Sequence, residues 1–196
     1  SIDKAIECGV VAESEAEIHI KINREKQSII IHDNGCGIPV EKAKEILLSI
    51  GDSKKNGINE RGFRGIGRLA GLAYADEVRF ITSADGESEK TIMSCDCIKM
   101  QELLQKSNTE TSDVMETFKA ISRIETFQEK KELHYFEVQL LGVPLGSGLL
   151  EENDVWKYLS ETAPVDFDSQ KFQEAHQIRE YFNRHNCPIT CYKILR

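Results

Sequence analysis

The sequence predicts an α/β domain in which strand pairs form a sheet and amphipathic helices pack against it. Two observations carry this prediction. Segments with the period-two alternation of strands recur in hairpin-like pairs, and segments with the 3.6-residue spacing of one-sided helices lie between them. The chain has 196 residues, of which 40% are hydrophobic and 30% charged, a balance typical of one globular domain with a short extension.

The first segments predict a helix, a hairpin and a second helix. Residues 1 to 7 are helical in pattern from the first residue and lack an initiator methionine, so we expect further residues upstream. Residues 17 to 22 alternate polar and apolar side chains, and residues 28 to 32 form a more apolar strand that we place inside the sheet. The following helix has apolar residues at helical spacing, namely Ala43, Ile46, Leu47 and Ile50.

The middle of the chain predicts a loop, a short helix and a second hairpin. Residues 52 to 61 contain almost no apolar side chain, which indicates a surface loop. A glycine-rich stretch then opens a helix of small residues at 69 to 73. Strands at 78 to 82 and 91 to 95 flank an Asp85-Gly86 turn.

The last part of the chain is predicted less completely. Residues 98 to 132 have no firm assignment beyond a short helix and a polar loop. Further segments are a strand at 135 to 140, a helix from 151 that Pro164 ends, a helix at 169 to 186 and a strand at 189 to 195. We expect residues 1 to 165 to form the main domain, and residues 166 to 196 to be a linker and the start of a truncated second domain.

Charge and cysteine usage narrow the class of protein. The formal net charge is -8 and the isoelectric point about 5.2, which disfavours nucleic acid as a partner bound by bulk charge. No signal-peptide core or membrane-spanning apolar run is present, so we expect a cytoplasmic protein without a membrane partner. No Cys-x-x-Cys pair occurs, and we expect reduced thiols at Cys8, Cys36, Cys95, Cys97, Cys187 and Cys191.

Three segments at a characteristic spacing carry the functional prediction. They are a helix with acidic residues, an Asp-x-Gly-x-Gly loop after a buried strand, and a Gly-x-x-Gly-x-Gly loop that opens a helix. Each alone is a weak signal, because glycines usually serve turns. Together, over about residues 1 to 165, they resemble the GHKL family of ATPases, which includes heat shock protein 90 chaperones, gyrase B, MutL proteins and sensor histidine kinases. The resemblance implies a Bergerat fold, a two-layer α/β sandwich with a mixed, mostly antiparallel sheet, which closes a lid over ATP.

The loop at residues 33 to 39 matches the second motif of that family. The resemblance implies that Asp33 accepts a hydrogen bond from the adenine amino group, a role that suits a carboxylate because it is an acceptor only. Gly35 and Gly37 would let the base approach the backbone, and Ile38 belongs to the same predicted ATP-binding loop. The alternative is an ordinary turn, with Asp33 as a turn or cap residue.

The glycine-rich loop resembles the third motif, in which backbone N–H groups at a helix N-terminus bind the phosphates. The predicted phosphate-binding residues are Gly62, Phe63, Arg64, Gly65, Ile66, Gly67 and Arg68. Lys54 lies in a stretch that resembles the beginning of the family's lid, and a solvated surface charge is its alternative role. We predict that residues 52 to 64 form a lid that becomes ordered by the γ-phosphate.

The first motif departs from the family pattern. That pattern is a glutamate that activates water, an asparagine four residues later that holds magnesium, and an acidic residue three further on. If Glu7 is the acidic residue, Lys4 stands at the asparagine position and the general base is expected upstream of Ser1. Protonated lysine cannot ligate magnesium but can pair with phosphate. We therefore place Lys4 and Glu7 in the ATP site, assign no catalytic residue or metal ligand, and expect ATP to bind with Mg²⁺.

The fourth motif, a threonine on a late strand near the adenine, is not evident. Leu133-His134 stands where Gly-Thr is expected.

Within the family, the stretch through residues 65 to 78 favours a heat shock protein 90-like ATPase. Residues 156 to 159 and 163 to 167 resemble the segment that leads into the middle domain of such a protein. The expected function is ATP binding and lid closure that drive a conformational change, with hydrolysis in the full protein. The alternatives are a MutL- or MORC-like DNA-associated ATPase and a nucleotide-gated interaction module without significant turnover. Expected partners are ATP or ADP and a second copy that binds through segments beyond this sequence.

Overall fold

The computed structural model describes residues 2–49, 67–106, 114–163, 172–185 and 193–196. The strands are β1 (Glu17–Asn23), β2 (Ser28–Asp33), β3 (Glu77–Ser83), β4 (Glu89–Asp96), β5 (Ser122–Gln128), β6 (Tyr135–Leu141) and β7 (Lys193–Leu195). The α-helices are α1 (Ile2–Glu7), α2 (Val40–Leu48), α3 (Cys97–Lys106), α4 (Val114–Ile121), α5 (Glu152–Thr162) and α6 (Ala175–Arg184). Short 3-10 helices cover Glu13–Glu15 and Gly67–Ala73.

The described strands form one sheet in the order β5-β4-β3-β6-β2-β1-β7. Five of its pairs are antiparallel and β1·β7 is parallel, so the predicted mixed, mostly antiparallel sheet is confirmed. The first hairpin pairs Ile18 with Asp33 and Asn23 with Ser28. The apolar strand β2 lies between β1 and β6, inside the sheet as its composition predicted.

The strand β7 belongs to the same sheet as β1. Ile194 lies opposite Ile18, and Lys193 lies opposite Glu17. Residues 166 to 196 are predicted to be a linker and the start of a second domain, and the structure pairs this strand with the edge of the sheet. Parallel pairing between segments so far apart in the chain leaves no local sequence signal. The boundary at residue 165 stays a prediction.

One face of the sheet packs against the helices and forms the core. Alternation along β3 turns Val78, Phe80 and Thr82 toward this helix-covered face, and all three are fully buried. α2 adds Ala43 and Leu47, which are one helical turn apart and fully buried. Ile46, expected on the same apolar side, is 41% exposed. Because consecutive helical residues point about 100° apart, a helix this short buries only its central stripe.

The segment without a firm sequence assignment contains α4 and β5. α4 buries Phe118 and Ile121 against the core, whereas β5 is exposed along most of its length. Strand β5 has one apolar residue on each face, Ile124 and Phe127, among polar or charged ones, so its sequence lacks clear alternation. That pattern explains why the strand was not predicted.

The opposite face of the sheet, here called the outer face, is mostly polar. The Arg79 guanidinium pairs with Glu77 at 2.8 Å, and His32 Nδ1 lies 3.0 Å from Glu137 Oε2.

Among the described helices, none is long and apolar enough to cross a membrane. Burial raises the pKa of the Cys97 thiol to about 12, so this cysteine is a core residue and not a reactive thiol.

Candidate functional site

A row of paired residues crosses the helix-covered face at the carboxyl end of β2. Asp33 lies opposite Ile18 on one side and Phe136 on the other. Phe136 lies opposite Thr82, and Thr82 lies opposite Thr91. Directly paired residues point to the same face of a sheet. The row therefore places a carboxylate on β2 and hydroxyls on β3 and β4 at the same end of a face that is otherwise apolar.

The Asp33 carboxylate is held partly out of water at the end of β2. Its Oδ1 accepts a hydrogen bond from the Gly35 N–H at 2.9 Å. Burial raises the pKa of Asp33 above its ordinary value, although the backbone N–H groups of Gly35 and Phe136 act in the opposite direction. A carboxylate whose desolvation outweighs its hydrogen bonds is costly to the fold and marks a candidate functional group. It offers a strong acceptor to a ligand that carries N–H donors.

The loop that follows Asp33, residues 34 to 39, lies in backbone contact with β3 and β6. Gly37 has a φ of +61°, which favours glycine. A Cβ at this position would lie 1.8 Å from the Ser83 carbonyl oxygen and 3.0 Å from that of Tyr135. Any side chain at residue 37 would force the loop away from the sheet. The second glycine of the motif is thus required by tertiary packing as well as by the turn.

Thr82, on strand β3, forms a hydrogen bond with the same loop. The Ile38 N–H donates to Thr82 Oγ1 at 2.7 Å, and the Thr82 hydroxyl donates to the Tyr135 carbonyl at 3.2 Å. Thr82 is fully buried, and these two hydrogen bonds satisfy its hydroxyl without a water molecule. Thr82 was not among the residues that the sequence predicts for the site. The available signal was a polar residue at a core-facing position of the strand 78 to 82.

His134 contacts the loop from the beginning of β6. Its Nδ1 lies 3.0 Å from the Gly35 carbonyl oxygen. Because a carbonyl only accepts, this hydrogen bond requires the proton on Nδ1. The structure thus brings the residue that stands in place of the expected threonine to the predicted adenine loop.

The first helix lies beside the loop. α1 buries Ile2 and Ala5 in a small apolar cluster, and Cys36 of the loop packs against that cluster. Lys4 and Glu7 lie on the exposed side of α1. The structure thus places this helix where the first motif is expected, next to the second motif.

A family model described as "Histidine kinase-, DNA gyrase B-, and HSP90-like ATPase" matches residues 6–128, which contain both glycine loops and the Asp33 site. The chain belongs to this ATPase family. Comparison with curated proteins finds no match. The ATPase region of Saccharomyces cerevisiae topoisomerase II is similar in structure, with a TM-score of 0.48 and 17% identity over 72% of this chain and 34% of that chain. The chain therefore spans about a third of the yeast chain's length.

Membership of this ATPase family supports nucleotide binding and leaves the individual contacts as predictions. Lys54, Gly62, Phe63, Arg64, Gly65 and Ile66 lie outside the described residues. Gly67 and Arg68 begin the 3-10 helix that runs to Ala73, where a helix of small residues was predicted. Leu72 of that helix is 4% exposed and anchors it to the core.

Magnesium is typical of this ATPase family but is not shown for this chain. In the part of the chain that the structure describes, no group of three or more His, Cys, Asp or Glu side chains could hold a metal ion. Binding of Mg²⁺ with ATP stays a prediction.

Proposed function

We propose that this domain binds ATP at the helix-covered face beside Asp33 and uses binding and closure of residues 52 to 64 to drive a conformational change. In this proposal residues 1 to 165 form a heat shock protein 90-like ATP-binding domain of a protein that hydrolyses ATP. The lid rests on the sequence alone. The single observation that carries the adenine site is the half-buried Asp33 carboxylate at the end of β2, whose Oδ1 accepts from the Gly35 N–H.

The chemistry of Asp33 favours adenine over guanine. Adenine presents an amino donor at the position where guanine presents a carbonyl acceptor. A carboxylate that accepts from the adenine amino group would instead meet the guanine oxygen as a second acceptor. The contacts of the loop with Thr82, Ser83 and His134 fix the backbone next to Asp33 before nucleotide arrives. Such preorganisation lowers the entropic cost of binding.

The first motif supports a second candidate function, which is nucleotide-gated binding without significant turnover. Lys4 at the magnesium-ligand position favours it. However, the acidic residue of the motif can also be Asp3, and the asparagine and glutamate positions then both fall before Ser1. Asp3 is half-buried and Glu7 is exposed, and both lie on the helix beside the Asp33 loop. In both registers the water-activating position precedes Ser1, so residues 1 to 196 should turn over ATP slowly.

Calorimetry of the chain with ATP, ADP and GTP tests the adenine site. We expect adenine nucleotides to bind more tightly than GTP. Asp33→Ala should weaken adenine-nucleotide binding about tenfold or more, because a hydrogen bond to a charged group contributes about 1.5 to 3 kcal/mol. Asp85→Ala, at an exposed aspartate in the β3–β4 turn, is the matched control. Equal affinity of folded Asp33→Ala and wild-type protein would refute the site.

Two conservative variants distinguish the registers of the first motif. If Asp3 is the motif acid, Asp3→Asn should weaken ATP binding in the presence of Mg²⁺, and Glu7→Gln should leave it unchanged. If Glu7→Gln weakens ATP binding and Asp3→Asn does not, Glu7 is the motif acid and Lys4 stands at the asparagine position. Turnover of residues 1 to 196 should be measured beside binding, since a domain without its general base typically loses about 10² to 10⁴-fold in rate. Brisk magnesium-dependent hydrolysis by residues 1 to 196 would contradict both registers.

A further inference from the structure

The two edge strands of the described sheet, β7 and β5, differ in length and in how they are protected against pairing with another strand. β7 has only three residues, and its Lys193 is engaged in an ion pair with Glu17. β5 has seven residues, contains no proline, and keeps a continuous register with β4 from Ser122 to Gln128. Natural sheets protect their edges by short strands, lysines, prolines and bulges. β7 shows the first two of these devices, whereas β5 lacks a proline, a bulge and a lysine.

The side chains of β5 are available to a partner. On the outer face, Arg123 is 76% and Glu125 is 43% exposed as side chains, and they pair with each other at 2.8 Å. Phe127 on the same face is 46% exposed. On the helix-covered face Ile124 is half-buried and packs against the core. A seven-residue strand offers an edge roughly 24 Å long.

We propose that β5 pairs antiparallel with β5 of a second copy of this chain, about a two-fold axis that passes through Ile124 perpendicular to the sheet. In this register Arg123 lies opposite Glu125 of the second copy, and Glu125 lies opposite Arg123 of the second copy. Ser122 lies opposite Thr126 of the second copy, and Ile124 pairs with its own equivalent. The two sheets then form one continuous sheet with the helices on the same side.

Charge selects this register over its neighbours. Such an axis can pass only through a residue, because a shift of one position turns the paired side chains to opposite faces. An axis through Arg123 would place two arginines opposite each other, and an axis through Glu125 would place two glutamates opposite each other. Like charges directly opposite destabilise a strand pair, and opposite charges stabilise it. The axis through Ile124 replaces each internal Arg123–Glu125 pair with a cross-strand pair.

The size of this edge implies a weak, reversible dimer. Pairing along one strand buries less surface than the roughly 1,200 to 2,000 Å² of stable interfaces. We therefore expect dissociation in the micromolar range or above. The dimer does not involve Asp33 or the loop after it, so the proposal stands apart from the proposed nucleotide site.

Charge reversal and charge exchange provide the test. Sedimentation velocity should show concentration-dependent dimerisation of the wild-type chain from micromolar to millimolar protein. Arg123→Glu and Glu125→Arg should each weaken the dimer about fivefold to a hundredfold, because two-fold symmetry makes each substitution create two like-charge contacts in the dimer. The double variant Arg123→Glu/Glu125→Arg should restore dimerisation, because the charges are again complementary.

Arg184→Glu is the matched control, since Arg184 forms an exposed pair with Glu180 on α6 and is not part of β5. Circular dichroism and thermal unfolding verify that each variant folds. A wild-type chain that stays monomeric at millimolar concentration would overturn the proposal and leave the edge to a different partner. A dimer that responds alike to Arg123→Glu and Arg184→Glu, or a double variant that fails to regain dimerisation while folded, would overturn it as well.

Discussion

The Thr82 hydroxyl accepts a hydrogen bond from the Ile38 N–H at 2.7 Å and so joins the middle of the sheet to the loop after Asp33. Thr82→Val keeps the shape of the side chain but leaves this N–H without its acceptor. We expect a loss of about 1 to 3 kcal/mol in the free energy of unfolding, measured by urea denaturation. Weaker nucleotide binding should accompany it, because the loop is less firmly held.

The paired residue Thr91 provides the control for this substitution. Its hydroxyl is buried and has no hydrogen-bond partner in the part of the chain that the structure describes. Thr91→Val should therefore be neutral or stabilising, since it removes an unsatisfied polar group. Equal losses of stability in the two variants would contradict the role of the Thr82 hydroxyl.

Gly37→Ala should destabilise the fold and abolish nucleotide binding. Its Cβ would meet the Ser83 carbonyl at 1.8 Å, and the backbone at φ +61° disfavours alanine. Gly86→Ala separates the cost of the backbone conformation from the cost of the steric clash, because Gly86 has a φ of +79° but nothing lies within 4 Å of a Cβ there. We expect about 1 to 2 kcal/mol of destabilisation for Gly86→Ala and clearly more for Gly37→Ala, in thermal or urea unfolding. Similar values for both would show that the close approach to Ser83 is unimportant.

Asp33→Asn should stabilise the nucleotide-free protein while weakening nucleotide binding. Burial raises the pKa of Asp33, which means that the ionised carboxylate costs the folded state free energy at neutral pH. Asparagine keeps Oδ1 for the Gly35 N–H and removes the charge. A gain of about 1 kcal/mol would raise the melting temperature by about 2 to 4 °C in a chain of this size. Asp85→Asn should change neither quantity, and a lower melting temperature for Asp33→Asn would disprove the argument.

Nucleotide affinity should decrease as the pH falls through the folded-state pKa of Asp33. That pKa lies above the ordinary value, so the loss should begin at a higher pH than for an ordinary aspartate. The free-energy cost that the ionised Asp33 carboxylate imposes on the folded state is fully present above the folded-state pKa. It is absent below the unfolded-state pKa, where the carboxyl group is protonated in both states. Calorimetric titrations across the acid range would measure the effect. Asp33→Asn should flatten the profile, and an unchanged pH dependence in that variant would assign the titration to another group.

The sequence alone determined the elements whose signal is local. The hairpin of β1 and β2, the helix α2 and the hairpin of β3 and β4 follow from periodicity over a few residues and from turn residues between them. The family resemblance rests on the same kind of local signal, because its glycine motifs are short and contiguous. The Asp33 loop was predicted in this way.

Tertiary structure decided the contacts that join distant segments. His134 meets Gly35 across 99 residues, and Ile38 meets Thr82 across 44, because β6 lies between β2 and β3 in the sheet. The pairing of β7 with β1 and the edge position of β5 likewise depend on the order of strands in space. Strand order is set by long-range burial and backbone pairing, which a local pattern does not encode. The sequence therefore predicted the adenine loop, and only the fold showed what holds it.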